Sequence, residues 1–203
     1  MEVLIVAKTY MKNAYCVGAL DITNNKNIRL LTSNDENQPL ETKFEVGQVW
    51  DIDYIVRANI VLPHSEDVLV QNAAYLRNQT RLNEYLINKV PIWKGSPENI
   101  FSCKLKFPNG QSGYLDQKNS DLNQSVGFWL PDQDLELTIL DDNKHYFYFG
   151  DQVYAIPYVG TKKVIDQIKQ GTLIRLSIAR WWTPNASRQQ KRCYLQLSGW
   201  YEN

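Results

Sequence analysis

The stretch "LSIARWWTPNASRQQKRCYLQLSGWY", residues 176–201, carries the clearest indication of the fold in this chain of 203 residues. Its two ends alternate apolar and polar residues, which is the pattern of β-strands that are buried on one face. The middle is a polar loop that contains a proline and several cations. The stretch therefore predicts two strands joined by a basic loop. Because it contains three Trp, two Tyr and four cations but no acid, it also raises the question of a nucleic-acid-binding surface.

Short β-branched and aromatic runs separated by turn residues occur along most of the chain. They predict strands at "EVLIVAK", "AYCVGALD", "NIRLLTS", "QVWDIDYIV", "DVLVQNAAYL", "VGFWL", "DLELTIL", "HYFYFG", "QVYAIPYVG", "LIRLSIARW" and "CYLQLSGWY". Residues 101–124 are less regular. Their turn signal "NGQSG" predicts a hairpin, or a loop-rich linker that carries one hairpin.

Residues 78–90 have the period of a helix instead of a strand. Asn78 or Thr80 can serve as the N-cap, and Pro91 predicts the end. The apolar side chains that share one helical face are Leu82, Tyr85, Leu86 and Val90. Further on, Pro97 predicts the first position of one short helical turn.

The last third of the chain predicts the order strand, strand, strand, helix, strand, strand, with the helix at "TKKVIDQIKQG", residues 161–171. This is the order of an OB-fold, a five-stranded Greek-key barrel. The first 77 residues predict the same five strands, with a loop or a single turn in the helix position. A weak internal repeat agrees, since Gly47 and Gly171 each precede the fourth strand. We therefore predict a mainly β chain with two OB-like barrels, residues 1–77 and 125–203, and a helical and hairpin connector, residues 78–124.

The composition is that of a folded globular protein, with 43% hydrophobic, 22% charged and 12% aromatic residues. No apolar run approaches the ~18 residues of a membrane helix, and the first residues lack the basic segment of a signal peptide. The three cysteines are far apart and form no C-x-x-C, so neither a disulfide framework nor a zinc site is indicated. We expect a cytoplasmic protein that does not act in a membrane.

The formal net charge is zero, but the charges are unevenly distributed. Residues 162–192 contain eight Lys or Arg and one acid, whereas residues 116–144 contain seven acids and two cations. Because local charge decides which face attracts phosphate, the basic segment is the candidate nucleic-acid-binding region.

Six motifs resemble those of the bacterial dual OB-containing domain family, and together they span nearly the whole chain. They are "VLIVAKT" (3–9), "CVGALD" (16–21), "SVGFWLPD" (125–132), "IPYVG" (156–160), "LIRLSIARWW" (173–182) and "CYLQLSGWY" (193–201). The resemblance implies tandem OB-folds, nucleic-acid binding and a role in prokaryotic defence or repair systems. It implies no catalytic residues.

Strand alternation predicts which side chains of the second barrel face outward. In the strand 173–181, Arg175 and Trp181 fall on the outer face, and in the strand 193–201 Tyr194 and Trp200 do. Aromatic rings can stack on bases while cations follow the phosphates. The candidate nucleic-acid-binding residues are Arg175, Arg180, Trp181, Arg188, Lys191, Arg192, Tyr194 and Trp200, together with Lys8, Tyr10 and Lys12 in the loop between the first two strands. Alternatively, Trp200 and Tyr194 are buried between domains, and the loop cations are merely solvated.

The first barrel has Asp51 and Asp53 on the outer face of its fourth strand, where carboxylates would repel phosphate. The second barrel should therefore dominate binding, so charge reversal at Arg175 or Lys191 should weaken it and Asp51→Asn should not.

Little in the sequence indicates an active site. His64 and His145 lack partner motifs, and no phosphate-binding glycine loop is present. The carboxylates at residues 132–142 (Asp132, Asp134, Glu136, Asp141 and Asp142) could hold a magnesium ion, but turn chemistry and solubility explain them more simply. Cys193 alternates with the apolar set and should be buried and unreactive. We expect no catalytic residues, no metal and no cofactor.

The function predicted first is a non-enzymatic nucleic-acid-binding accessory protein that prefers single strands and works beside a separate enzyme subunit. The alternatives are a protein–protein adaptor that docks a partner through its aromatic surface, and a sensor of a nucleotide or small ligand.

Overall fold

The computed structural model describes residues 1–117, 121–140, 142–183 and 190–202 of the chain, which divides into two compact units. Unit 1 comprises Met1–Val61 and Ser65–Val90, and unit 2 comprises Leu62–His64 and Pro91–Glu202. The residues of the predicted connector, 78–124, are divided between the units at Val90.

Unit 1 is a closed barrel of five strands, with a sixth strand of two residues paired to its second strand. Its strands are β1 (Glu2–Met11), β2 (Ala14–Asp21), β3 (Lys26–Leu31), the short β4 (Gln38–Pro39), β5 (Gln48–Val56) and β6 (Asp67–Asn78). Around the barrel the order is β1, β2, β3, β6, β5, and β1 again, with only β3 and β6 parallel. The core is lined by apolar residues that alternate along these strands, as the sequence predicted. The helix position between β3 and β5 holds turns and β4, so the predicted loop is confirmed.

One helix, α1 (Leu82–Ile87), follows the barrel in unit 1. The predicted helix is confirmed but is shorter, and its N-cap is Arg81, in the left-handed conformation with φ 49°. Neither Asn78 nor Thr80 can serve as the cap because β6 continues to Asn78 and the chain turns only afterwards.

Unit 2 contains two sheets and a kinked segment of 3₁₀ turns at Pro97–Cys103, where the sequence predicted one turn. Its strands are β7 (Ile92–Lys94), β8 (Tyr114–Asp116), β9 (Val126–Leu130), β10 (Leu135–Leu140), β11 (Asn143–Phe149), β12 (Val153–Pro157), β13 (Gln167–Ile168), β14 (Leu173–Ile178) and β15 (Arg192–Tyr201). One sheet has the order β12, β11, β10, β13, and the other has β7, β9, β14, β15, β8. A parallel bridge between Tyr158 and Leu197 links them.

β9 and β10 together take the place of the first strand of an OB-fold. They are consecutive in the chain, yet β9 pairs with β14 and β10 pairs with β11. Because this bent first strand takes part in both sheets, the strands of unit 2 follow one another in the same order as in unit 1. The predicted fold, mainly β with two OB-like barrels, is confirmed.

The helix predicted at residues 161–171 is wrong. Instead, this segment is irregular and contributes β13, which pairs with β10. The hydroxyl of Tyr158 donates to the carbonyl of Lys162 at 2.7 Å, and that of Tyr146 donates to the carbonyl of Ile165 at 2.9 Å. Because the two tyrosine hydroxyls satisfy these carbonyls, the segment does not need helical hydrogen bonds for them. A short helix is also only marginally stable by itself.

The predicted hairpin in the segment 101–124 is confirmed. The backbone amides of Lys106 and Tyr114 donate to each other's carbonyls at 2.8 and 2.9 Å. The hairpin continues into β8, which pairs with the start of β15. It therefore adds a strand to the sheet of the second barrel.

Candidate nucleic-acid interface

A bulge in β15 decides which of its side chains face the core. The register between β14 and β15 shifts at Arg175 and Leu176, which leaves Ser198 as an extra residue. Beyond the bulge Trp200 is only 3% exposed and lies 5.8 Å from the ring of Tyr146, in the core of unit 2. The prediction that Trp200 faces outward is wrong, because strict alternation does not hold across a bulge.

Arg175 is buried as well, with 3% exposure. It lies on the face of β14 that is opposite to the core, and on that face Leu173, Phe128 and Tyr201 are also buried. Both faces of this part of the sheet are therefore covered. The prediction that Arg175 is presented to a ligand is wrong for that reason, and its charge reversal would perturb the fold.

Aromatic and basic side chains that are exposed or half-buried gather where β15 begins. Arg192 pairs with Asp116 of β8, and Tyr194 pairs with Tyr114. Two bridges extend this strand pair, one from Tyr114 to Lys106 and one from Arg192 to Trp182. We call the group of side chains formed by Lys106, Tyr114, Trp182, Arg192 and Tyr194 the β8–β15 surface.

Three rings form a row on the β8–β15 surface. The ring centroids of Trp182 and Tyr194 are 6.1 Å apart, and those of Tyr194 and Tyr114 are 5.9 Å apart. The guanidinium carbon of Arg192 lies 4.1 Å from the centroid of the Tyr114 ring. Trp182, at one end of the row, is 54% exposed. The row thus has an exposed ring, Trp182, at one end and a cation stacked on the ring at the other end.

Both cations of the surface are held in their charged forms. A long hydrogen bond of 3.5 Å from Arg192 Nη1 to the hydroxyl of Tyr194 raises the pKa of Arg192. The ammonium of Lys106 donates to the carboxylate of Asp116, which raises the pKa of Lys106. Asp116 is nearly buried, whereas half of the Lys106 side chain is exposed. The cation therefore lies nearer to solvent than the acid that orients it.

The structure brings together two of the predicted residues of the second barrel, Arg192 and Tyr194. Arg180 and Lys191 are exposed close to them in the chain, and Arg188 lies outside the described residues. Trp181 packs partly on the core, and its Nε1 donates to the carbonyl of Leu62 at 2.7 Å.

Three residues of the β8–β15 surface, Lys106, Tyr114 and Trp182, were not predicted from the sequence. Trp181 was placed on the outer face by extending the alternation of β14, but β14 ends at Ile178. Lys106 and Tyr114 flank the predicted "NGQSG" turn, but nothing in the sequence indicates that this hairpin pairs with β15.

The residues predicted in the first barrel are placed differently. Lys8 is nearly buried, and its ammonium binds Glu45 at 2.6 Å and lies 4.4 Å from the ring centroid of Tyr15. It is therefore not presented to a ligand. Tyr10, at 56% exposure, and Lys12 are exposed near the turn.

The carboxylates of Asp51 and Asp53 are exposed on β5, as predicted. Asp51 accepts a hydrogen bond from the N-terminal ammonium at 2.6 Å.

Within the described ranges, no group of three or more His, Cys, Asp or Glu side chains is arranged to hold a metal ion. The hydroxyl of Tyr148 donates to Asp132 at 2.7 Å, and Lys169 binds Asp134 at 3.0 Å. Asp141 lies outside the described residues. No helix among the described residues is both long enough and apolar enough to cross a membrane.

Cys193 lies 3.9 Å from Nε2 of His64, a distance that raises the question of a nucleophile and its base. Both side chains are buried, and burial raises the pKa of the Cys193 thiol to about 12. An activated cysteine has a lowered pKa instead. The pair is therefore part of the packing of unit 2, and the predicted burial of Cys193 is confirmed.

A known protein family matches nearly the whole chain. The family model described as the dual OB-containing domain matches residues 1–200. No curated protein matches the chain.

Three solved structures are similar to the chain at a low level. The p204 HINb domain is 12% identical, with 97% of this chain and 95% of that chain covered and a TM-score of 0.35. The Ifi202 HINa domain in complex with 20-bp double-stranded DNA is 12% identical, with 98% and 95% covered and a TM-score of 0.32. A murine DNA-binding protein bound with double-stranded DNA is 10% identical, with 97% and 91% covered and a TM-score of 0.30. TM-scores this low support no argument about this chain.

Proposed function

The chain belongs to the dual OB-containing domain family, and from that premise we propose that it is a non-enzymatic protein that binds single-stranded nucleic acid. The binding site that we propose is the β8–β15 surface of unit 2. We also propose that the protein works beside a separate enzyme in a prokaryotic defence or repair system, as the family resemblance implies.

The observation that carries this proposal is the row of Trp182, Tyr194 and Tyr114 with Arg192 stacked on one end. Proteins that bind single strands use aromatic faces on which bases stack, each worth about 1–3 kcal/mol, and cations that follow the phosphates. The loop between the fourth and fifth strands, which Trp182 begins, is one of the loops by which OB-folds contact oligonucleotides.

The exposed ring of Trp182 favours unpaired strands over duplexes. In a duplex the bases are already stacked on one another, so an exposed ring on the protein surface reaches few of them. The cations alone would bind both forms through the phosphates. A preference for single strands should therefore depend on the rings, and salt sensitivity should depend on the cations.

The test is fluorescence anisotropy with labelled single-stranded and double-stranded oligonucleotides of equal length, at about 50 and 200 mM salt. We expect tighter binding of single strands and a steep loss of affinity at the higher salt concentration. Trp182→Ala should weaken single-strand binding about tenfold and duplex binding less. The matched control is Tyr75→Ala, which removes a ring of unit 1 that is 48% exposed and should leave affinity unchanged.

Three results would contradict the proposal. They are an absence of binding at low salt, a preference for duplexes, and equal losses from Trp182→Ala and Tyr75→Ala.

A further inference from the structure

The strand β11 has an aromatic face that is separate from the β8–β15 surface. Tyr146 and Tyr148 face the core of unit 2, so the residues that alternate with them face outward. These are His145, Phe147 and Phe149, whose ring centroids follow one another at 6.3 and 6.2 Å. Phe149 is 49% exposed. We call these three residues the aromatic ladder.

Exposed acids lie near the aromatic ladder. Glu136 on β10 is exposed and lies directly opposite Phe147, the central ring. Asp142 and Asp151 are exposed in the turns at the two ends of β11. The cation of β11 is Lys144, and alternation places it on the other face of the sheet. Lys169 binds Gln167, which lies opposite Glu136, but it also binds Asp134 at 3.0 Å, and that carboxylate offsets its charge. The acids near the ladder therefore outnumber the cations.

Aromatic rings beside carboxylates favour a cationic partner over a nucleic acid. The face of an aromatic ring attracts a cation that lies within about 6 Å of its centroid, and a carboxylate beside the ring can accept hydrogen bonds from a guanidinium. The same carboxylate repels phosphate. Rings alone would suit a base or a cation equally well, but Glu136 opposite the central ring favours the cation.

We propose that the aromatic ladder docks an arginine- or lysine-bearing segment of a partner protein. The nucleic acid and the partner would then occupy different surfaces of unit 2, one basic and one acidic. This inference does not depend on the function proposed for the β8–β15 surface.

The probe is a fluorescein-labelled peptide of alternating arginine and glycine, about eight residues long, titrated with the full chain at moderate salt and followed by anisotropy. Phe147→Ala and Glu136→Gln should each weaken binding about fivefold. The controls are Tyr10→Ala and Glu41→Gln, which remove an exposed ring and an exposed acid of unit 1 and should leave affinity unchanged. Glu136→Gln keeps the size of the side chain, so its loss of binding supports the proposal even if Phe147→Ala disturbs the sheet.

Peptide binding that is unchanged in both variants, or weakened equally by Glu41→Gln, would overturn the proposal. A loss of single-strand affinity in Phe147→Ala with peptide binding intact would assign the ladder to nucleic acid instead. Sedimentation that shows a dimer in the native chain and a monomer in Phe147→Ala would assign it to a second copy of the chain, which also overturns the proposal.

Discussion

The two barrels differ most where the fifth strand of each begins. In unit 1 the residues Asp67–Leu69 pair in parallel with Arg29–Leu31 of the third strand, which closes the barrel. In unit 2 the fifth strand begins with Arg192–Tyr194, which pair with β8, a strand that comes from outside the barrel, and the parallel bridge lies further along, at Leu197. The start of the fifth strand therefore pairs within the barrel in unit 1 and with an added strand in unit 2.

Unit 1 buries the charges of this position. Asp67 is fully buried and accepts hydrogen bonds from Arg29 and, at 3.0 Å, from Arg57. Asp35 binds the other side of Arg57 at 2.8 Å. Because the acid is enclosed by its partners, this network can stabilise the barrel but cannot meet a ligand.

Unit 2 leaves the charges of this position accessible. Here the acid, Asp116, is nearly buried, while the side chain of Lys106 is half exposed and Arg192 is half-buried against the ring of Tyr114. Where the fifth strand begins, unit 1 therefore has a structural ion-pair network, whereas unit 2, with its added strand, has a candidate binding surface.

Removing the buried acid of unit 1 should have the largest effect. Asp67→Asn leaves two guanidinium groups without their shared carboxylate, and breaking such a buried pair costs about 3–5 kcal/mol of the free energy of unfolding. Urea unfolding monitored by tryptophan fluorescence measures this loss. Asp116→Asn should cost less because the side chain of Lys106 is 53% exposed and remains solvated. A larger loss for Asp116→Asn would contradict the view that the Asp67 network stabilises the fold while the β8–β15 surface is available to a ligand.

Reversing charges in the two units should separate their roles in binding. Arg192→Glu should weaken binding of a labelled single strand about tenfold and reduce the slope of log affinity against log salt by about one. Lys191→Glu should act in the same direction, and Asp51→Asn should cause no loss. The matched control is Lys12→Glu, which reverses an exposed cation of unit 1. Equal losses from Lys12→Glu and Arg192→Glu would show that both barrels bind.

The strands could be predicted from the sequence because each is a local pattern. Alternating apolar residues such as Val3, Ile5 and Val17 indicate a strand that is buried on one face. Glycine at positions 47 and 171 is typical of a backbone with positive φ, and φ is 90° and 74° there in the structure. Alternation along β5 also correctly predicted that Asp51 and Asp53 are exposed.

Features that depend on a partner far away in the chain could not be predicted. The bulge at Ser198 exists only in the pairing of β15 with β14, so Trp200 was placed on the wrong face. The segment 161–171 has a helical period, but the hydroxyls of Tyr146 and Tyr158 satisfy its backbone instead. The pairing of β8 with β15, which builds the candidate site, is likewise a contact between segments about 80 residues apart.

Cysteine reactivity should show the smallest effect, and it tests whether the β8–β15 pairing is maintained in solution. Cys193 lies between Arg192 and Tyr194 but faces the core, and burial raises its pKa to about 12. Since the thiolate is the reactive form, iodoacetamide at pH 8 should modify the exposed Cys103 and leave Cys193 unmodified, as measured by peptide mass spectrometry. Modification of both at the same rate would mean that β15 detaches and that the surface is not permanently formed. Conversely, if an Arg192→Glu variant loses affinity while Cys193 stays unmodified, the loss of affinity comes from the changed surface and not from unfolding.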